Sequence, residues 1–66
     1  MLDLDECERV LRTKGYEIVS NAGVLLVVRK DVEITLYPRG RLLMHPVGSK
    51  ERAEGLAKDL FIALGK

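Results

Sequence analysis

The sequence predicts an α+β domain: a four-stranded antiparallel meander with two helices on one face, in the order helix, four strands, helix. Three observations predict it. Capped, amphipathic helical stretches stand near both ends of the chain, strand-like runs fill the middle, and every connection is short. Short connections join antiparallel neighbours and leave no room for crossovers. Residues 1–66 read as one domain. A chain of this size buries only ~60% of its unfolded surface, so its core must be used fully.

Leu2 to Lys14 reads as the first helix. Asp3 is its expected N-cap, with Glu6 three residues on. Leu4, Cys7 and Leu11 recur at helical spacing with Val10 beside them, and Gly15 supplies the left-handed stop. Tyr16 to Ser20 is a short strand, followed by Asn21-Ala22-Gly23 as a three-residue loop. Val24 to Arg29 is apolar on both faces, which suits a central strand. Lys30-Asp31 reads as a two-residue connection.

The stretch Val32 to Pro46 organises the sheet. Val32 to Tyr37 alternates apolar and polar residues, as a strand with one buried face does. Arg41 to Pro46 is the returning arm, and Pro38-Arg39-Gly40 between them fits a type I turn closed by a left-handed glycine. This turn pairs Tyr37 with Arg41, Thr35 with Leu43 and Glu33 with His45 on one face. It pairs Leu36 with Leu42 and Ile34 with Met44 on the other. Val47-Gly48 leads into the last helix, capped by Ser49, with Glu51 in the first turn. Ala53, Leu56, Ala57, Leu60, Phe61 and Leu64 form its apolar stripe. Gly55 within it suggests a close approach of helix to sheet, and Gly65 ends it.

These turns set an expected division of the sheet. Val19, Leu25, Val27, Val32, Ile34, Leu36, Leu42 and Met44 would face the helices. Tyr16, Ile18, Ser20, Val24, Leu26, Val28, Glu33, Thr35, Tyr37, Arg41, Leu43 and His45 would form the open side. An open side that apolar marks a binding or assembly surface.

Composition narrows the function classes. With 11 basic and 10 acidic side chains there is no polybasic footprint of the kind that drives strong non-specific nucleic-acid binding. The single cysteine, Cys7, allows no intrachain disulfide, and a reducing, cytoplasmic setting is expected. No secretory or membrane-spanning segment is evident, the longest apolar run being Val24 to Val28. His45 is the only histidine and lies near no second metal-ligand type, so no metal and no cofactor is expected. No nucleophile, base and orienting group come together in the sequence, no small-molecule substrate is evident, and the chain reads as non-enzymatic.

The stretch EITLYPRGRLLMHPVGSKERAEGLAKDLFIALG resembles the C-terminal part of one repeat of the TATA-box-binding-protein family. In both, a strand ending in an aromatic residue meets a turn. A strand opening with a basic residue follows, then a Ser-capped helix. Leu2-Asp3-Leu4 resembles the opening of the family's first helix. The element order matches one repeat without its long first strand. Patterns of this kind also occur in the related accessory domain of some ribonucleases H. The resemblance implies a fold in which the open, concave sheet face grips the minor groove, with aromatic wedges that unstack base steps. Tyr37 then falls at one wedge, Arg41 where the family carries Lys, and Leu43 and His45 where Val and Thr meet base edges. Ala22 falls where the second wedge would stand, Val28 near a phosphate-contacting Arg, and the family's two-repeat chain is here a single repeat.

Two readings stand for each candidate residue. Tyr37 is a stacking or wedge residue, or a rim aromatic that stabilises its turn. Arg39 and Arg41 contact phosphate or an acidic partner, or are solvated charges at a hairpin tip. His45 is a contact residue, or a strand residue paired with Glu33. Leu26, Val28 and Leu43 complete the expected open face. The function expected is that of a small binding protein using this face, with DNA or RNA as partner. The alternative is a protein-interaction or homodimerisation module that binds no nucleic acid, docking a second copy or another chain through the apolar open face or the exposed Arg41 to Pro46 edge.

Overall fold

A helix begins where a side chain can satisfy its first unbonded N–H groups, and here Asp3 does so. In the computed structural model, which describes residues 1–45 and 48–65, Asp3 Oδ1 accepts from the N–H groups of Asp5 at 3.0 Å and Glu6 at 3.3 Å. Helix α1 (Leu4–Thr13) follows and turns Leu4, Cys7 and Leu11 inward. It ends at Lys14, with Gly15 at φ +91°. Four strands come next: β1 (Glu17–Asn21), β2 (Leu26–Lys30), β3 (Val32–Leu36) and β4 (Leu42–His45). They form one antiparallel sheet in the order β1-β2-β3-β4. Helix α2 (Lys50–Ala63) closes the chain, with Ser49 Oγ accepting from the Arg52 N–H at 3.1 Å. Pro46 and Val47, the expected end of the returning arm and the lead into the last helix, lie outside the described residues.

Both helices cover one face. The core joins Leu4, Cys7 and Leu11 of α1, Leu60 of α2, and Tyr16, Leu26, Val28, Val32, Ile34 and Leu36 from the sheet side. Leu56, Phe61, Ala63 and Leu64 of the last helical segment pack partly against it. No helix among the described residues is long and apolar enough to cross a membrane.

The β3–β4 register is the one the alternation predicts: Glu33 pairs with His45, Ile34 with Met44, Thr35 with Leu43 and Leu36 with Leu42. The face assignment of β1 and β2 is a correction. Lys30 pairs directly with Val32, so Asp31 alone makes the turn, at φ +67°. Asp tolerates this left-handed region better than most residues. Relative to a two-residue turn the register moves by one, and that exchanges the faces of β2 and of β1 up to Ile18, whereas Ser20, past the register shift, opposes Val27 and keeps its expected place on the open side. Tyr16, Ile18, Leu26 and Val28 therefore turn toward the helices. Val27 takes the open side, along with Glu17 and Arg29.

Charge burial explains why this register wins. In the expected register Glu17 and Arg29 share a side with Val19 and Val27, beneath the helices. Burying ionised groups there costs several kcal/mol or more. The observed register places Tyr, Ile, Leu and Val inside and keeps both charges in water. The first hairpin differs as well. The Ala22 N–H donates to the Leu25 carbonyl at 3.0 Å around Gly23 and Val24, with Gly23 at φ +84°. A two-residue loop with glycine first matches a type II′ turn rather than a three-residue loop. A register shift between Ile18 and Ser20 absorbs the mismatch. Gly55 faces open space, with nothing within 4 Å of where a Cβ would stand, so no close approach requires it.

Candidate binding face

The open side of the sheet is built in rows across the strands. One row is charged: Glu17 opposes Arg29, Arg29 opposes Glu33, and Glu33 opposes His45. Arg29 reaches Glu17 at 3.5 Å and Glu33 at 3.4 Å, both pairs being solvent-exposed. Such pairs contribute about 0–1 kcal/mol each and chiefly neutralise one another. The next row is Val27, Thr35 and Leu43. Beyond it lie Tyr37 and Arg41, joined by the Tyr37 N–H donating to the Arg41 carbonyl at 2.9 Å.

The turn between β3 and β4 takes the form its residues predict. The Gly40 N–H donates to the Tyr37 carbonyl at 2.9 Å, and Gly40 sits at φ +91°. The N-terminal segment is tied to this turn, since the Leu2 N–H donates to the Pro38 carbonyl at 2.7 Å. Met1, Tyr37, Pro38, Arg39, Arg41 and Leu43 thereby line a cleft of ≈ 520 Å³. A second cleft flanks the other side of the turn, between Phe61, Leu2 and Gly40.

Electrostatically the face is divided. The charged row carries two carboxylates against one guanidinium. The hairpin end carries Arg39 and Arg41, and neither joins an ion pair among the described residues. Positive charge therefore gathers at the Tyr37 end. The structure brings Tyr37, Arg39, Arg41 and Leu43 together. His45 is exposed but stands at the other end of the face, beside Arg29, Asp31 and Glu33. Four residues of strand, ~13 Å, separate the two ends.

No family model, curated protein or solved structure matches this chain.

Two candidate residues leave the site. Leu26 and Val28 are both 0% exposed, under the helices, and touch no visitor to the open face. Their removal follows from the one-residue turn at Asp31. Met1 is the lining residue that sequence reasoning missed. Its place depends on a backbone bond between Leu2 and Pro38, for which the sequence carries no local signal. The role of Glu17 and Arg29 was open to detection, because two charges on one side of a strand pair mark that side as solvent-facing. No group of three or more His, Cys, Asp or Glu side chains among the described residues is placed to hold a metal ion.

Proposed function

We propose that the protein is a non-enzymatic nucleic-acid-binding module that contacts its ligand through the hairpin end of the open sheet face. One observation carries the reading: an aromatic ring, two arginines that join no ion pair among the described residues and an apolar neighbour share a single open cleft. Tyr37 offers a ring for a base to stack on, and Arg39 and Arg41 offer guanidinium groups to phosphate. Leu43 gives an apolar wall beside the ring. The resemblance to a TATA-box-binding-protein repeat, in which the helix-free sheet face meets DNA, supports the same surface. The protein-docking alternative loses most of its basis on this face, because Ile18, Leu26 and Val28 turn inward. We expect the protein in the cytoplasm, since one cysteine makes no internal disulfide.

Two phosphate contacts make for weak, salt-sensitive binding. For a single strand the expected slope of log affinity against log salt is about −1.4, or roughly 25-fold weaker binding per tenfold rise in salt. Fluorescence anisotropy with labelled single-stranded and duplex oligonucleotides of mixed sequence tests this. At low salt the chain should bind, Tyr37→Ala should weaken binding about tenfold or more, and Arg39→Ala or Arg41→Ala should lower the salt slope. Absence of binding at low salt, or equal binding by Tyr37→Ala, overturns the proposal.

A further inference from the structure

The two edges of the sheet are treated differently. An exposed edge strand offers unpaired N–H and C=O groups to any other strand, and proteins blunt such edges with bulges, covering elements or charge. The β1 edge is blunted. Its ladder shifts between Ile18 and Ser20, and Asn21 at its end is held by Asp5 and Glu8 of α1. The β4 edge is regular, with four paired residues and no shift. Because the Tyr37 N–H donates to Arg41, alternation along the ladder turns the backbone groups of Leu43 toward β3 and those of Leu42 and Met44 outward. The side chains here are three consecutive apolar residues, with Leu43 51% exposed on the open face. Along the edge itself, Leu42, Leu43 and Met44 border a groove of ≈ 340 Å³ against Lys50, Ala53, Glu54 and Ala57 of α2.

We infer that β4 is a self-pairing edge and that its occupant is a second copy of this chain. The surface is complementary to itself about a two-fold axis through Leu43. Antiparallel pairing of β4 with its copy sets Leu42 opposite Met44 twice, and the outward groups of both residues are the ones that bond. The two Leu43 side chains then meet on the open face in the closer, non-hydrogen-bonded type of pair. The helices agree with the same axis. Phe61 lies beside Pro38 and Gly40 near the start of β4, and Lys50 shares the groove with Met44, so α2 runs back along β4. Lys50 and Glu54 pair at 4.0 Å within α2, and the axis brings this exposed pair against its copy with the charges reversed, so that each Lys50 also approaches Glu54 of the other chain. The resulting dimer has one eight-stranded sheet. It does not depend on the nucleic-acid reading, although it would align two Tyr37 clefts on one surface.

Sedimentation velocity of the full chain, without nucleic acid and over a wide concentration range, tests the inference. The monomer mass is 7.4 kDa. The expected result is a reversible shift toward twice that mass. Leu43→Lys, a change at an exposed position, should weaken self-association at least tenfold. Val24→Lys, at the exposed tip of the first hairpin, should leave it unchanged. Lys50→Glu should weaken association, and the double swap Lys50→Glu with Glu54→Lys should restore it. A chain that stays monomeric at millimolar concentration overturns the inference. So does a dimer indifferent to Leu43→Lys. Oligonucleotide binding by a monomer would leave the functional proposal standing while removing this one.

Discussion

The side-chain amide of Asn21, at the end of β1, donates to Oε1 of Glu8 on α1 at 2.9 Å. The same Nδ2 donates to Asp5 Oδ1 at 2.9 Å, and Asn21 Oδ1 accepts from the Gly23 N–H at 2.9 Å. One side chain thus ties α1 to the sheet and shapes the turn that follows. Glu8 is held in addition by Arg12, at 2.7 Å. Asn21→Ala should destabilise the protein by about 1–2 kcal/mol, since bonds to charged partners are lost at a partly exposed site. Asn21→Asp should cost more at low salt, because it adds a third carboxylate beside two others, and the excess should shrink as salt rises. Urea unfolding at two ionic strengths checks both; equal losses for Ala and Asp at low salt would contradict the arrangement.

The faces of β2 make a second prediction. Leu26 is fully buried, and Val27 is on the open side. Leu26→Ala should cost about 2–5 kcal/mol through lost burial and the cavity left behind. Val27→Ala should cost about 1 kcal/mol or less. Equilibrium unfolding of the two variants distinguishes the observed register from the one-residue alternative, which demands the opposite ranking.

Asp31 is the one non-glycine residue at positive φ among the described residues. Asp31→Asn should be close to neutral, because Asn shares the tolerance for this region. Asp31→Val should lose about 1–2 kcal/mol from the left-handed backbone alone. Comparing the two unfolding midpoints separates backbone strain from a general effect of replacing the carboxylate.

Gly55 lies inside α2 with open space around its missing Cβ. Gly55→Ala should therefore stabilise by about 1 kcal/mol through helix propensity. In a domain of this size that corresponds to a rise in Tm of about 4–8 °C. A scanning-calorimetry shift downward would mean that the position is crowded.

Burial pushes the Tyr16 phenol above its ordinary value, and the Asp59 carboxylate adds to the effect. Lys30 Nζ lies 4.8 Å from the ring centroid. The folded state resists ionisation of this group more than the unfolded chain does. Its contribution is whole below the ordinary phenol value of about 10, and is lost as pH rises through the higher folded value. Stability should fall in that alkaline window, and Tyr16→Phe should flatten the fall. Urea midpoints followed from neutral pH into the alkaline range check the sign.

The hairpin from Val32 to His45 was legible because its signals are local. Alternation assigns its faces, and Gly40 accepts the left-handed turn residue, so Tyr37, Arg41 and Leu43 fall side by side. Asp3 and Ser49 announce their helices in the same way. The face of β1 and β2 was harder to read, because it depends on whether one residue or two make the turn at Asp31. The decisive signal was present in Glu17 and Arg29, but it works only when both strands are judged together. Leu26 and Val28 left the candidate site for that reason. Met1 entered it through contact with a turn more than thirty residues away in the chain.

By itself, the sequence determined the element order, the helix caps, the β3–β4 turn and the cluster of Tyr37 with two arginines. Each of these rests on interactions spanning a few residues, which composition and spacing encode directly. Only the tertiary structure decided which side of the first hairpin is buried, and which sheet edge is left regular. Those choices compare whole faces, and the cost of burying a charged side chain outweighs any local preference of a two-residue turn.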